Sequence, residues 1–265
     1  MTDRIERPTA TRMWALEGPT ITMPAGSLVL GETGMVTIPV PVFLIEHPRG
    51  RVLFDTGIAV EAVEDQLAVF SEEDLAGATV VYEDRHRPDR QLRAIGVEPA
   101  DVTHVVMSHL HHDHSGGMVH FPGAQFFVGR DELPHAYWPD PAQLALFRRA
   151  DIDPVRDFSW NELPGDFDLF GDGSVVILSL PGHTPGSLGL AVRLPSRTFI
   201  LTGDAVHLRV GLAKLRPMGS DWNTHAAVES IRRLRRLTVA LDAELWINHD
   251  MEDWQQFTAE GSELW

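Results

Sequence analysis

The chain has 265 residues, no cysteine, thirteen histidines and a formal charge of −16. That length buries a core without covalent staples, and the lack of cysteine excludes disulfides, thiol catalysis, iron–sulfur clusters and thiolate metal sites. The negative charge argues against a nucleic-acid partner, whose phosphates need a field of opposite sign, and against docking on anionic membranes.

The opening segment, Met1 to Pro8, is polar and charged and lacks the apolar stretch of a secretory leader. No run reaches about eighteen apolar residues, so a cytoplasmic protein is expected. Met23-Pro-Ala-Gly26 reads as a turn. Val40 to Glu46 and Arg51 to Asp55 read as strands joined by the turn His47-Pro-Arg-Gly50. Residues 58 to 95 are acidic and helical or irregular, a candidate surface for a homodimer, with a short helix from Asp89 to Ile95 closed by Gly96. Further strands are expected at Thr103 to Ser108, Gln125 to Val128, Ser174 to Leu180, Leu188 to Arg193, Thr198 to Thr202 and Glu244 to Asn248. Trp222 to Leu241 carries an apolar helical stripe of Ala227, Val228, Ile231, Leu234 and Leu237, which leaves Arg232, Arg233, Arg235 and Arg236 facing water. Strands interleaved with helices give an α/β layered fold, one domain over 1–265.

Six of the thirteen histidines fall between His104 and His120, most of them in Ser108-His-Leu-His-His-Asp-His-Ser-Gly-Gly117. Packed imidazoles repel one another's protons unless another cation replaces them. Imidazole and carboxylate are ligands that suit zinc, iron, manganese and cobalt. The i, i+2 spacing of His109 and His111 at a strand end points both the same way, and the following turn brings Asp113 and His114 alongside. Gly116 and Gly117 allow that turn and a close backbone approach. Three later strand ends, at Pro181-Gly-His-Thr-Pro-Gly186, Thr202-Gly-Asp204 and Asn248-His-Asp250, offer His183, Asp204 and His249. In layered α/β folds such ends gather at one site. No serine sits in a nucleophile elbow.

These motifs, from Asp55-Thr-Gly57 to His249, resemble those of the metallo-β-lactamase superfamily, and within it the N-acyl-homoserine lactone lactonases. The resemblance implies an αββα sandwich of two mixed sheets with outer helices, built of two pseudo-similar halves that meet near residues 150–170. It implies two divalent transition-metal ions, zinc first, with iron, cobalt or manganese as alternatives. His109, His111 and His183 would hold one, Asp113, His114 and His249 the other, with Asp204 bridging. The implied reaction is lactone opening by a metal-bridging hydroxide, with Asp113 passing a proton to the leaving oxygen. In cells this amounts to quorum quenching.

Asp55 resembles the family's acidic residue behind a ligand histidine; the alternative is a carboxylate that caps its own turn. The lactonases usually carry a tyrosine three residues after the bridging aspartate, whereas His207 stands there in this chain. It is either a hydrogen-bond donor to the developing oxyanion or an ordinary loop histidine. His112 replaces an aromatic or apolar neighbour. Met23, Tyr137, Trp138, Phe147 and Trp160 are candidates for a pocket wall suited to an acyl chain; the alternative is satellite core beneath a loop. The expected partner is a small lactone or ester. An aryl or heterocyclic lactone or a phosphotriester on the same site, or a non-catalytic metal-binding protein, are the competing readings.

Overall fold

The computed structural model describes residues 9–265; Met1 to Pro8, where a leader was sought, lie outside them. In chain order the strands are β1 (Arg12–Leu16), β2 (Thr20–Pro24), β3 (Met35–Pro39), β4 (Val42–His47), β5 (Gly50–Phe54), β6 (Thr79–Val81), β7 (His104–Val106) and β8 (Gln125–Gly129). They continue with β9 (Ser159–Leu163), β10 (Phe167–Asp168), β11 (Val175–Ser179), β12 (Leu188–Arg193), β13 (Thr198–Leu201), β14 (Ala243–Trp246) and β15 (Glu263–Leu264).

Two mixed sheets dominate, in the orders β15-β1-β4-β5-β7-β8-β9 and β10-β11-β12-β13-β14. Their strands alternate with period two, so each presents one row to the opposite sheet and one to the helices. Met13, Phe43, Ile45 and Phe54 of the first sheet meet Ile177, Leu190, Phe199 and Trp246 of the second. Phe43 sets its edge on the Trp246 ring at 4.9 Å. The intervening residues Trp14, Leu44 and Leu53 face outward into a second apolar layer with Leu92, Ala136 and Ile152 from the helical segments. On the far side, Ile231 and Leu234 of the helix Thr224–Ala240 pack on Leu178, Ile200 and Leu245. This is the expected αββα sandwich.

A third sheet, β3-β2-β6, was not anticipated. It has its own apolar cluster, including Ile21, Ile38, Val80 and Phe70. Met23 and Pro24 are therefore the end of a strand rather than a turn, and the turn starts at Ala25. The arginine face of the long helix also differs in part from expectation. Arg233 bonds the Ser179 carbonyl and Asp166, and Arg235 bonds the carbonyls of Leu212 and Ala213. Arg232, Arg235 and Arg236 are exposed as expected and Arg233 is half-buried, so the face meets water while two of its forked guanidiniums also tie the helix to neighbouring carbonyls.

Pairing of β5 with β7 and of β13 with β14 is parallel. Parallel neighbours end at the same edge, and that edge gathers the loops after Phe54, Val106, Leu201 and Trp246. The candidate functional residues stand in those loops and in the one after Ser179 of β11, which runs the same way as β13.

Candidate metal centre

The strand β5 runs into Asp55, which adopts the left-handed region at φ 62°. Aspartate tolerates that conformation better than bulkier residues. The bend aims its carboxylate back at the histidine loop, where Oδ1 accepts the Ser108 backbone N–H at 2.6 Å and His114 Nδ1 donates to Oδ2 at 2.8 Å. Gly116 and Gly117 have ordinary backbone angles. Their need is space: a Cβ on Gly116 would lie 1.9 Å from the Ala59 nitrogen.

Six side chains meet around Asp204, the seven together coming from four strand ends. Its Oδ2 lies 3.6 Å from His183 Nε2 and 3.9 Å from His109 Nε2. Its Oδ1 lies 3.3 Å from His114 Nε2 and 3.2 Å from His249 Nε2. Each carboxylate oxygen thus faces a different set. His109, His111 and His183 form one group, and Asp113, His114, Asp204 and His249 another, with donor atoms within 4.8 Å inside each.

Ring nitrogens face ring nitrogens here. His111 Nδ1 is 2.9 Å from His183 Nε2, and His114 Nε2 is 3.3 Å from His249 Nε2. His109 Nε2, His111 Nε2 and Asp204 Oδ1 are buried without a hydrogen-bond partner. Burial, then the neighbouring rings, hold His109 and His111 well below the ordinary histidine range. Burial opposes the proton at His114 too, but Asp204, Asp113 and Asp55 outweigh it and raise that ring well above its usual value. Converging lone pairs and orphaned buried polar atoms are what a cation resolves. The residues fit a pair of metal ions held by nitrogen and oxygen alone.

The nitrogens that face away from the centre are also held. His183 Nδ1 donates to Asp221 Oδ1 at 2.8 Å, and His249 Nδ1 donates to the Pro39 carbonyl at 2.8 Å. His109 Nδ1 lies 3.0 Å from Ser108 Oγ. Gln143, fully buried, donates to the carbonyls of His183 and Ser220 and pairs with His135. Such outer contacts fix tautomer and ring orientation. Asp221, Gln143 and Glu132 were missed by sequence reasoning. Asp221 sits in a Gly-Ser-Asp-Trp loop with no ligand spacing, and nothing local to any of the three announces a partner about 40 or more residues away.

A cavity of about 320 Å³ opens over the centre. Its floor includes His111, Asp113, Asp204 and His207, and its walls are mostly apolar, with Ile21, Leu28, Ile38 and Phe70, and carry Glu73 and Asp74 on one side. His207 is buried, with Nε2 3.2 Å from Asp204 Oδ2. Met23 and His112 also line the cavity, with His112 edge-on to Phe70 at 5.4 Å. The acidic segment 58 to 95 supplies much of one wall, through Phe70, Leu75 and Val80.

The other aromatics expected there lie elsewhere. Phe147 packs behind the centre on the His111 ring at 4.6 Å. Trp160 belongs to β9 and packs on Phe126 while donating to the Val155 carbonyl. Tyr137 joins the outer apolar layer, and Trp138 is 79% exposed. Apolar layers behind a sheet consume aromatics as readily as pockets do, which is why composition misplaced Tyr137, Phe147 and Trp160.

The sequence model of the metallo-beta-lactamase superfamily matches residues 36–243. The chain belongs to the metallo-β-lactamase superfamily. Within the superfamily it is similar to an N-acyl homoserine lactonase AttM of Azorhizobium caulinodans, 36% identical over 229 residues, covering 83% of this chain and 85% of the relative. It is 33% identical over 261 residues to an AttM of Agrobacterium fabrum, covering 94% and 97%. Among solved structures, an N-acyl homoserine lactone hydrolase with the product N-hexanoyl-L-homoserine at its catalytic metal centre superposes with a TM-score of 0.83 at 23% identity, covering 94% of this chain and 96% of the other. AidC, a dizinc quorum-quenching lactonase, gives a TM-score of 0.68 at 16% identity, covering 92% and 91%.

Proposed function

We propose that this chain is a dinuclear metallohydrolase that opens the ring of N-acyl homoserine lactones, a quorum-quenching activity. The observation that carries the reading is Asp204, whose two oxygens face two separate ligand sets at the floor of an apolar cavity. The 33–36% identity to N-acyl homoserine lactonases over most of the chain supports the substrate class.

The proposed ligands are His109, His111 and His183 for one ion, and Asp113, His114 and His249 for the other. Asp204 would bridge them. Zinc is put first, with iron, cobalt and manganese as alternatives, since imidazole and carboxylate donors suit all four. When bound, the ions polarise the lactone carbonyl and acidify water enough to attack it at neutral pH.

The remaining work falls to side chains. Asp113 Oδ2, 3.6 Å from His114 Nε2 and 3.7 Å from His249 Nε2, lies at the cavity floor and is placed to take the proton that the attacking water gives up and hand it to the departing ring oxygen. His207 Nε2 is placed to donate a hydrogen bond to the carbonyl oxygen as charge develops there. Asp55 and Asp221 hold His114 and His183 by their outer nitrogens, so that the inner lone pairs stay aimed inward. Phe70, Ile38, Ile21 and Met23 form an apolar wall for the acyl chain and keep water from it. The chain is read as one domain of two pseudo-similar halves.

The test is proton release by purified protein against N-acyl homoserine lactones of graded acyl length, an aryl ester and a phosphotriester. Preference for the acylated lactones is expected. Turnover confined to the ester or the phosphotriester would overturn the substrate, and inactivity of metal-replete protein across the panel would overturn the hydrolase reading.

A further inference from the structure

Glu132 opens the short helix after β8 and is fully buried. Its Oε1 accepts the backbone N–H of Leu110 at 2.8 Å, the residue between His109 and His111. Its Oε2 accepts the Thr184 hydroxyl at 2.5 Å and the Gly186 N–H at 3.2 Å, both just after His183. The backbones close around it without slack. A Cβ on Gly186 would fall 2.5 Å from the Glu132 Cβ, and one on Gly129 would fall 2.2 Å from the Gly186 carbonyl oxygen.

We propose that Glu132 is a positioning residue that sets the spacing of His109, His111 and His183 by tying together the two loops that carry them. The two loops are more than 70 residues apart in sequence, and this one carboxylate bonds both. All three of its hydrogen-bond partners are donors, which suits an acceptor-only carboxylate and not an amide. They are also neutral, so a buried anion is held here at a desolvation cost that an apolar side chain would avoid. Burial raises the Glu132 carboxyl above its ordinary range, and the two ions proposed at the adjacent centre would offset that cost. Glu132 touches neither substrate nor reacting atoms; it acts through the two loops. The proposal rests on the two-metal reading of the centre.

Metal-free protein is titrated with Co²⁺ and followed by its visible absorption and by elemental analysis. The two equivalents are assigned with His111→Ala and His249→Ala. Wild type is expected to take about two. Glu132→Gln is expected to weaken the equivalent at His109, His111 and His183 by about 10–100-fold, and to leave the one at Asp113, His114 and His249 unchanged. Glu132→Asp, which keeps the charge, is expected to recover part of the loss. Asp55→Asn is expected to give the mirror result. Wild-type affinity for both equivalents in Glu132→Gln, or equal weakening of both, overturns the proposal. If Glu132→Gln fails to fold, Thr184→Ala removes one arm alone and is expected to give a smaller loss confined to the same equivalent; no selective loss overturns the proposal. Wild-type protein that binds no metal refutes the two-metal reading, and the proposal with it, before any variant is made.

Discussion

Asp221 holds His183 from behind: its Oδ1 lies 2.8 Å from Nδ1, and its Oδ2 accepts the backbone N–H of Met218 at 3.0 Å. Two anchored oxygens leave this carboxylate little freedom to release the ring. Asp221→Ala should weaken the metal at His109, His111 and His183 by about 10–100-fold. Chelator competition reads that loss, and unchanged retention of both ions would show that His183 needs no such support.

Asp204 offers one oxygen to each ligand set. Asp204→Ala should abolish turnover and reduce bound metal to one ion per chain or fewer, as counted by elemental analysis. Retained turnover would refute its bridging role, whereas a serine-directed reagent should leave wild-type activity intact.

His207 is within 3.2 Å of Asp204 Oδ2 and lines the cavity. His207→Ala should lower kcat by about 10²–10³ with little change in KM, the signature of a donor used mainly in the transition state. Steady-state kinetics with a parallel metal assay separate the outcomes. A fall in metal content would instead make His207 a ligand, and unchanged kinetics would make it a bystander.

Phe70 belongs to both the third apolar cluster and the cavity wall. Phe70→Ala should raise KM about tenfold for long acyl chains and much less for short ones, because the lost contact scales with buried apolar area. A uniform change across chain lengths would place the acyl group elsewhere.

Asp151 is buried beside Arg148, and burial raises its carboxyl to about 6 despite that guanidinium. A folded value above the unfolded one means that its contribution to stability is complete below about pH 4 and is lost as pH rises through 6. Between pH 4 and pH 8 the wild type should therefore lose about 2–3 kcal/mol relative to Asp151→Asn. Urea unfolding at the two values checks this, and parallel pH profiles would show that Asp151 titrates normally.

The seven proposed ligands were legible because each follows an apolar strand and carries a side chain with few other uses at such a place. The central strands were legible for the same reason. The small sheet was not, since Thr20–Pro24 and Met35–Pro39 mix polar and apolar residues, end in proline and are exposed at several positions. The supporting residues were not legible either. Glu132, Gln143 and Asp221 acquire their roles through contacts 22 to 77 residues away, and a lone buried acid or amide looks in sequence like any surface one.

His249 reaches through its outer nitrogen to the Pro39 carbonyl, and Ile38, the next residue back along β3, lines the cavity. The wall proposed for the acyl chain and the ring proposed for the metal are thus fastened to each other by one bond. Specificity and metal retention are therefore not separate modules that can be exchanged. Grafting a relative's β2–β3 hairpin to alter chain-length preference would also retune the ion at His249, and a library screened for new substrates there would be sorted for metal affinity at the same time.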